Sequence, residues 1–160
     1  MASMEPIIYF SSKSENYPQL SNFWIQPFVF QDVAYKNVEE AFQAQKALLF
    51  NDKEAFTRIC QSKTPASAKS LGRKVQWFEK DKWMEMKRDV MYELLKAKFQ
   101  QHADLKAILL GTAPSILAEA TRDTYWGIGA KKGALEGNQK VWGHNHLGKL
   151  LTRLRNELQE

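Results

Sequence analysis

A chain of 160 residues, 44% apolar and 26% charged, is long enough to bury a core and too ordinary in composition to be disordered. No apolar run approaches the length of a bilayer span and no signal-peptide pattern opens the chain, so no membrane association and a cytoplasmic setting are expected. The net charge of +5 favours an anionic partner (a phosphate ester, a dinucleotide or nucleic acid), although Lys and Arg spread over solvent-facing helix positions explain the same number.

Residues 1–6 read as a flexible leader, with Met4 as a natural start, and residues 7–158 as one domain, since no repeat or Pro/Gly linker divides them. Ile7-Ile8-Tyr9-Phe10 suits a buried strand, and Ser11 to Asn16 a polar loop. Two β-prone runs flank Gln31-Asp32 between Phe28 and Tyr35, which predicts a tight hairpin lacking its favoured Gly. Asn37 can cap a helix running to about Phe50, with Glu39 and Glu40 in its first turn where the dipole favours them. Asn51 or Asp52 caps a second helix through Cys60. Thr64-Pro65 opens a third towards Gly72. The longest helix begins at Asp81, with Trp83, Met86, Val90, Leu94 and Ala97 as its buried stripe.

Ala103 to Leu110 predicts a short helix ended by Gly111 and Pro114. Ser115 to Ala120 reads as a strand or a helical turn. Six of the eight glycines fall between Gly127 and Gly148, a long loop feeding a terminal helix whose apolar face is Leu147, Leu150, Leu151, Leu154 and Leu158. The expected fold is α+β and mainly α-helical, with a small β-sheet or hairpin and one long Gly-rich loop.

Cys60 is the single cysteine, so an internal disulfide is excluded, and a buried inert thiol is expected. His102, His144 and His146 are too few and too poorly spaced for a zinc site, and no metal is expected. Glu39, Gln43 and Lys46 fall at steps of four and three and project from one helix face. They are either solvated surface groups or, because Val38, Ala41, Phe42, Ala44, Ala47 and Leu48 leave little room for an outward polar face, the polar edge of a lined cavity. The pattern does not choose between them. Asn22 in Ser21-Asn22-Phe23-Trp24 holds a loop or binds a ligand. Asp123 beside Tyr125, Trp126 and Gly127 fits a ring-stacking site for a base or sugar, and equally a packed corner whose Asp caps a turn. The last helix opens at Asn145-His146-Leu147-Gly148, where free N–H groups could receive a phosphate. Walker loop, dinucleotide fingerprint and Ser nucleophile elbow are all missing from the sequence.

Several motifs in order resemble the NADAR family. They are Ser21-Asn22-Phe23, Glu39 with Phe42-Gln43-Ala44-Gln45-Lys46, Gly72-Arg73, Trp83, Ala97-Lys98-Phe99 with His102, Asp123-Thr124-Tyr125-Trp126-Gly127 and Asn145-His146-Leu147-Gly148. The match runs from about Ile7 to Glu157. The resemblance implies a compact, mainly helical fold and a metal-independent N-glycosidase without cofactor. Family members cleave phosphoribosylamino-pyrimidine intermediates of riboflavin synthesis or remove ADP-ribose from modified guanine in nucleic acids. Two departures stand out: Glu40 replaces the usual polar neighbour of the functional glutamate, and the loop from Gly129 to Gly143 is longer than in the simplest bacterial members.

Carried onto this chain, the resemblance makes Glu39 the principal catalytic carboxylate and Asp123 a second acid/base or ribose ligand. Lys46 is a candidate for a Schiff-base route that requires a depressed pKa. Trp83 and Trp126 pack on base or ribose, although Trp83 is equally a core position. Arg73 or Lys98 holds phosphate. Asn22, Phe23, Gln43, Tyr125, Gly127 and Asn145 complete the expected substrate-binding set. The basic balance and the long loop favour ADP-ribosylated guanine in nucleic acid over the phosphoribosylated metabolite. A non-catalytic module binding ADP-ribose or nucleic acid is the rival from another class, and a monomer is expected.

Overall fold

The structure, a computed structural model, describes residues 6–130 and 142–159. The leader and most of the Gly-rich loop, two features expected from sequence, lie outside the described residues. The chain forms two compact units, one from residues 1–21 and 102–160 and the other from Asn22–Gln101.

The Asn22–Gln101 unit holds a hairpin and four helices. Strands β2 (Phe28–Phe30) and β3 (Val33–Tyr35) pair antiparallel, with Phe28 opposite Tyr35. Gln31 and Asp32 take φ of 50° and 68°, so the two-residue turn is of the primed kind that suits strand twist, achieved without glycine. Helix α1 (Val38–Leu49) starts at Asn37, whose side chain accepts from the Glu40 N–H at 2.8 Å. Helix α2 (Lys53–Cys60) is capped by Asp52, and α3 (Pro65–Gly72) by Thr64 with Pro at its first position, both as the sequence predicts. Helix α1 packs against α2, α3 and α4 (Lys80–Gln101), and Ala41, Ala44 and Ala47 are the small residues that allow this close approach.

The face that α4 buries differs from the predicted stripe. Trp83, Met91, Tyr92, Leu94, Leu95, Lys98 and Phe99 are buried, while Met86 is 39% exposed and Val90 and Ala97 are only half-buried. Of the buried positions only Lys98 is charged, and Lys87 is half-buried like Val90.

In the other unit, β1 (Ile7–Phe10) pairs in parallel with β4 (Ile116–Glu119), Ile7 opposite Ile116 and Phe10 opposite Glu119. The segment after Ser115, ambiguous in sequence, is thus a strand. A short 3-10 helix (Pro18–Leu20) follows β1. Helix α5 (Ala103–Gly111) and helix α6 (His146–Leu158) pack together, and α6 lies on β4. Leu147, Leu151 and Leu154 are fully buried on α6, whereas Leu150 and Leu158 are half-buried. Arg155 is buried beside them and donates to Thr112 Oγ1 at 3.0 Å and Ser115 O at 2.8 Å.

Candidate active site

The polar edge of α1 is built into the protein. Glu39 is 7% exposed, its backbone N–H donates to Asn22 O at 3.1 Å, and its Oε1 accepts from Gln43 Nε2 at 3.1 Å. Gln43 lies against the last residue of α3: a Cβ on Gly72 would fall 2.5 Å from Gln43 Cδ. One turn on, Lys46 Nζ donates to Gly72 O at 2.9 Å and sits 4.6 Å above the centre of the Phe78 ring. Burial lowers the Lys46 pKa below the ordinary lysine value. The nearby Lys87 and Arg73 charges push it the same way, and Glu39 opposes them. Of the two readings left open by the pattern, the surface-charge one does not describe Glu39 and Gln43, which are buried.

Asn22 is also buried. Its Nδ2 lies 3.5 Å from Met91 Sδ, while Oδ1 is enclosed without a hydrogen-bond partner. Phe23 beside it is half-buried. Trp83 is 5.0 Å from the Phe42 ring and 6% exposed, which is how a core tryptophan behaves. Arg73 caps the end of α3 and is exposed. Lys98 is 1% exposed, with its ammonium 5.0 Å from the Phe99 ring centre, and desolvation lowers its pKa to about 7. A surface lysine with a snorkelling amine would do neither. Sequence reading did not single out Phe78 or Lys87 as neighbours of Lys46. Phe78 comes from an irregular segment with no period to follow, and Lys87 looks like any other charge on a long helix.

Glu40, the departure from the family pattern, is 1% exposed but turned the other way. Its Oε2 accepts from Lys36 N at 2.8 Å and its Oε1 pairs with Lys36 Nζ. It secures the start of α1 in the manner of a capping box.

The remaining expected site residues belong to the other unit. Asp123 Oδ1 accepts from the Tyr125 and Trp126 backbone N–H groups at 2.8 and 2.7 Å, so this carboxylate caps the turn before the aromatics. Tyr125 packs edge-on to Trp126 at 4.8 Å and against His146 at 4.4 Å, and His146 stacks on His144 at 5.2 Å. Gly127 is needed for space, since a Cβ there would meet Thr121 Oγ1 at 2.6 Å and Glu119 O at 2.8 Å. The start of α6 is not the open anion cradle the sequence suggested. His146 N and Leu147 N donate to Tyr125 O and Trp126 O at 3.1 and 3.0 Å. Asn145 is likewise engaged: Nδ2 donates to Leu117 O at 2.8 Å and Oδ1 accepts from Glu119 N at 3.1 Å, tying the helix start to β4.

Among the described residues, no group of three or more His, Cys, Asp or Glu is placed to hold a metal ion, and no helix is long and apolar enough to cross a membrane. Cys60 is half-buried, and burial raises its thiol pKa, as expected of an unreactive cysteine.

The NADAR domain profile matches residues 9–159. The N-glycosidase YbiA of Escherichia coli is 39% identical over 155 residues, covering 96% of this chain and 89% of that protein. A riboflavin biosynthesis protein of Vibrio vulnificus is 31% identical over 158 residues, which make up 98% of this chain but 40% of that longer protein. The NMR structure of E. coli YbiA superposes with a TM-score of 0.80 at 36% identity, covering 99% of this chain and 88% of the other. The chain belongs to the NADAR family.

Proposed function

We propose that this protein is an N-glycosidase that hydrolyses an N-ribosyl C–N bond, with ADP-ribosylated guanine in nucleic acid as its substrate and Glu39 and Lys46 as its reacting groups. The observation that supports this reading most directly is a buried carboxylate and a half-buried amine of lowered pKa on one edge of α1, each held by a defined partner. Relatives that share this family are named N-glycosidases.

Cleaving the bond builds positive charge at ribose C1 and the ring oxygen. A carboxylate fixed nearby stabilises that charge and orients the incoming water. Gln43 holds Glu39 in one orientation by donating to Oε1. Asn22, whose backbone carbonyl accepts from the Glu39 N–H, is a neighbour of this carboxylate. The lysine route begins from the ring-opened imine of the glycosylamine. The neutral Lys46 amine adds to C1, the departing base amine leaves with a proton, and water then hydrolyses the lysine Schiff base to release the sugar. A lowered pKa is what this route requires, because only the neutral amine is nucleophilic. Asp123, in the other unit, has Oδ1 committed to capping its own turn.

The alternative substrate, a phosphoribosylamino-pyrimidine, draws its support from the Vibrio relative named for riboflavin biosynthesis. Incubation with each substrate, reading released base against ADP-ribose or ribose phosphate, separates the two. Glu39→Gln is expected to lower kcat by roughly 10²–10⁴-fold with the fold intact; full activity in that variant would refute the carboxylate assignment. Borohydride added during turnover is expected to trap a sugar on Lys46 and not on Lys46→Arg. No adduct with the native enzyme would eliminate the lysine route.

A further inference from the structure

Beside the α1 edge lies an open groove of about 460 Å³ that the chemistry above does not use, lined by Leu49, Phe50, Asn51, Trp77, Glu79 and Lys82. Trp77 is 67% exposed, while the other four tryptophans are buried or half-buried. Its backbone is also unusual, with φ at +61°, a region that bulky side chains rarely enter. Asn51, which also lines the groove, has φ of +57°. An aromatic held outward on a strained backbone points to a task in solvent rather than in the core.

The groove wall reaches the candidate active site through one residue, Phe78. Phe78, the residue after Trp77, covers Lys46 on one side and packs edge-on to Phe50 at 5.4 Å on the other. Phe50 forms the groove wall, and Lys82 Nζ stands 5.9 Å from its ring centre. The stretch from Arg73 to Lys82, exposed apart from Val75, carries four cations, Arg73, Lys74, Lys80 and Lys82, against Glu79 and Asp81. An exposed indole in a stretch of net positive charge matches a single-stranded nucleic acid, whose bases offer π faces and whose backbone is anionic. A protein partner fits less well, because lysine and glutamate are depleted at protein interfaces.

We propose that this groove binds single-stranded nucleic acid, with Trp77 stacking on a base next to the modified nucleotide and Lys82 contacting the backbone. This rests on the nucleic-acid reading of the function and names how the strand around the target is held. Glu79 and Asn51 also line the groove.

The test is anisotropy of a labelled, unmodified eight-nucleotide DNA strand at low salt, which needs no glycosidase activity. Wild type is expected to bind, and Trp77→Ala to weaken binding by roughly 5- to 100-fold, with Trp77→Phe losing much less. Lys82→Gln is expected to reduce the slope of log K against log salt by about 0.7. Trp77→Gly should relax the positive-φ backbone and leave the protein at least as stable, yet bind as poorly as Trp77→Ala. No binding by wild type, or equal binding by wild type and Trp77→Ala, overturns the proposal. Trp77-dependent binding with no release of ADP-ribose from a modified strand supports the groove and refutes the substrate reading alone.

Discussion

Gly72→Ala tests the α1 edge without depending on the substrate. Gly72 closes α3 and has no positive φ, so alanine suits its backbone, and a helix gains up to about 1 kcal/mol from such a change when space allows. Here space does not allow it. The new Cβ would overlap Gln43 Oε1, its nearest neighbour, and sit 2.5 Å from Cδ, so the end of the amide must retreat by roughly 1.5 Å to reach ordinary contact. Retreat breaks the 3.1 Å bond from Gln43 Nε2 to Glu39 and leaves a buried carboxylate short of a donor, a loss of roughly 1–3 kcal/mol. The net expectation is a destabilisation of about 1–2 kcal/mol, or roughly 2–8 °C in Tm. In a Gln43→Ala background the obstacle is gone, and the same substitution should become neutral or stabilising by up to about 1 kcal/mol. Urea unfolding of the four proteins in this cycle measures the change of sign. An equal cost of Gly72→Ala in both backgrounds would refute the packing argument, and with it the claim that Gly72 exists to let Gln43 reach Glu39.

Lys46 trapping by borohydride should rise with pH to a midpoint below the ordinary lysine value. Lys87→Met should move that midpoint up by removing a like charge, and Glu39→Gln should move it down, as seen by trapping rates from pH 6 to 10. Lys98 titrates near 7 when folded and near 10.5 when unfolded, so between those values the unfolded chain holds the extra proton and stability rises with pH. Lys98→Met should flatten that rise, and an unchanged slope in urea midpoints would contradict it. Asp32→Gly should stabilise the protein by about 0.5–1 kcal/mol, because Asp32 occupies a primed-turn position at φ of 68° that glycine takes without strain; a lower Tm would count against the turn geometry.

Local chemistry was the legible part of the fold. Asn37, Asp52 and Thr64 cap their helices because a short polar side chain is the cheapest partner for an orphan N–H, and that need is written within four residues. The pairing of β1 with β4 was not legible, since Ile7 and Ile116 are brought together by tertiary structure and no local signal names the partner. The face of α4 differs from the apolar stripe: Lys98 is buried and Lys87 half-buried, while Met86 is exposed. Those two lysines are also what distinguishes this helix chemically: one lowers the pKa of Lys46, and the other is itself depressed by burial. An apolar period does not mark a helix face where a charged group stands on the buried side, which is where functional groups are often found.

Glu39 and Glu40 show why the candidate site could be placed but not fully read. Both carboxylates fall in the first turn of α1, both suit the helix dipole, and composition cannot rank them. A single residue step turns the side chain through about 100°, and that rotation decides their partners. Glu39 meets Gln43 one turn ahead, whereas Glu40 meets Lys36 one turn behind. The two assignments are not interchangeable, because Lys36 also donates its Nζ to Cys60 O and so fastens Glu40 to the end of α2. The residue in which this chain departs from the family pattern therefore shapes how α1 begins. Differences in substrate preference are better sought along Asn22, Gln43 and Lys46 and in the segment from Arg73 to Phe78, where the polar edge of the helix meets irregular backbone.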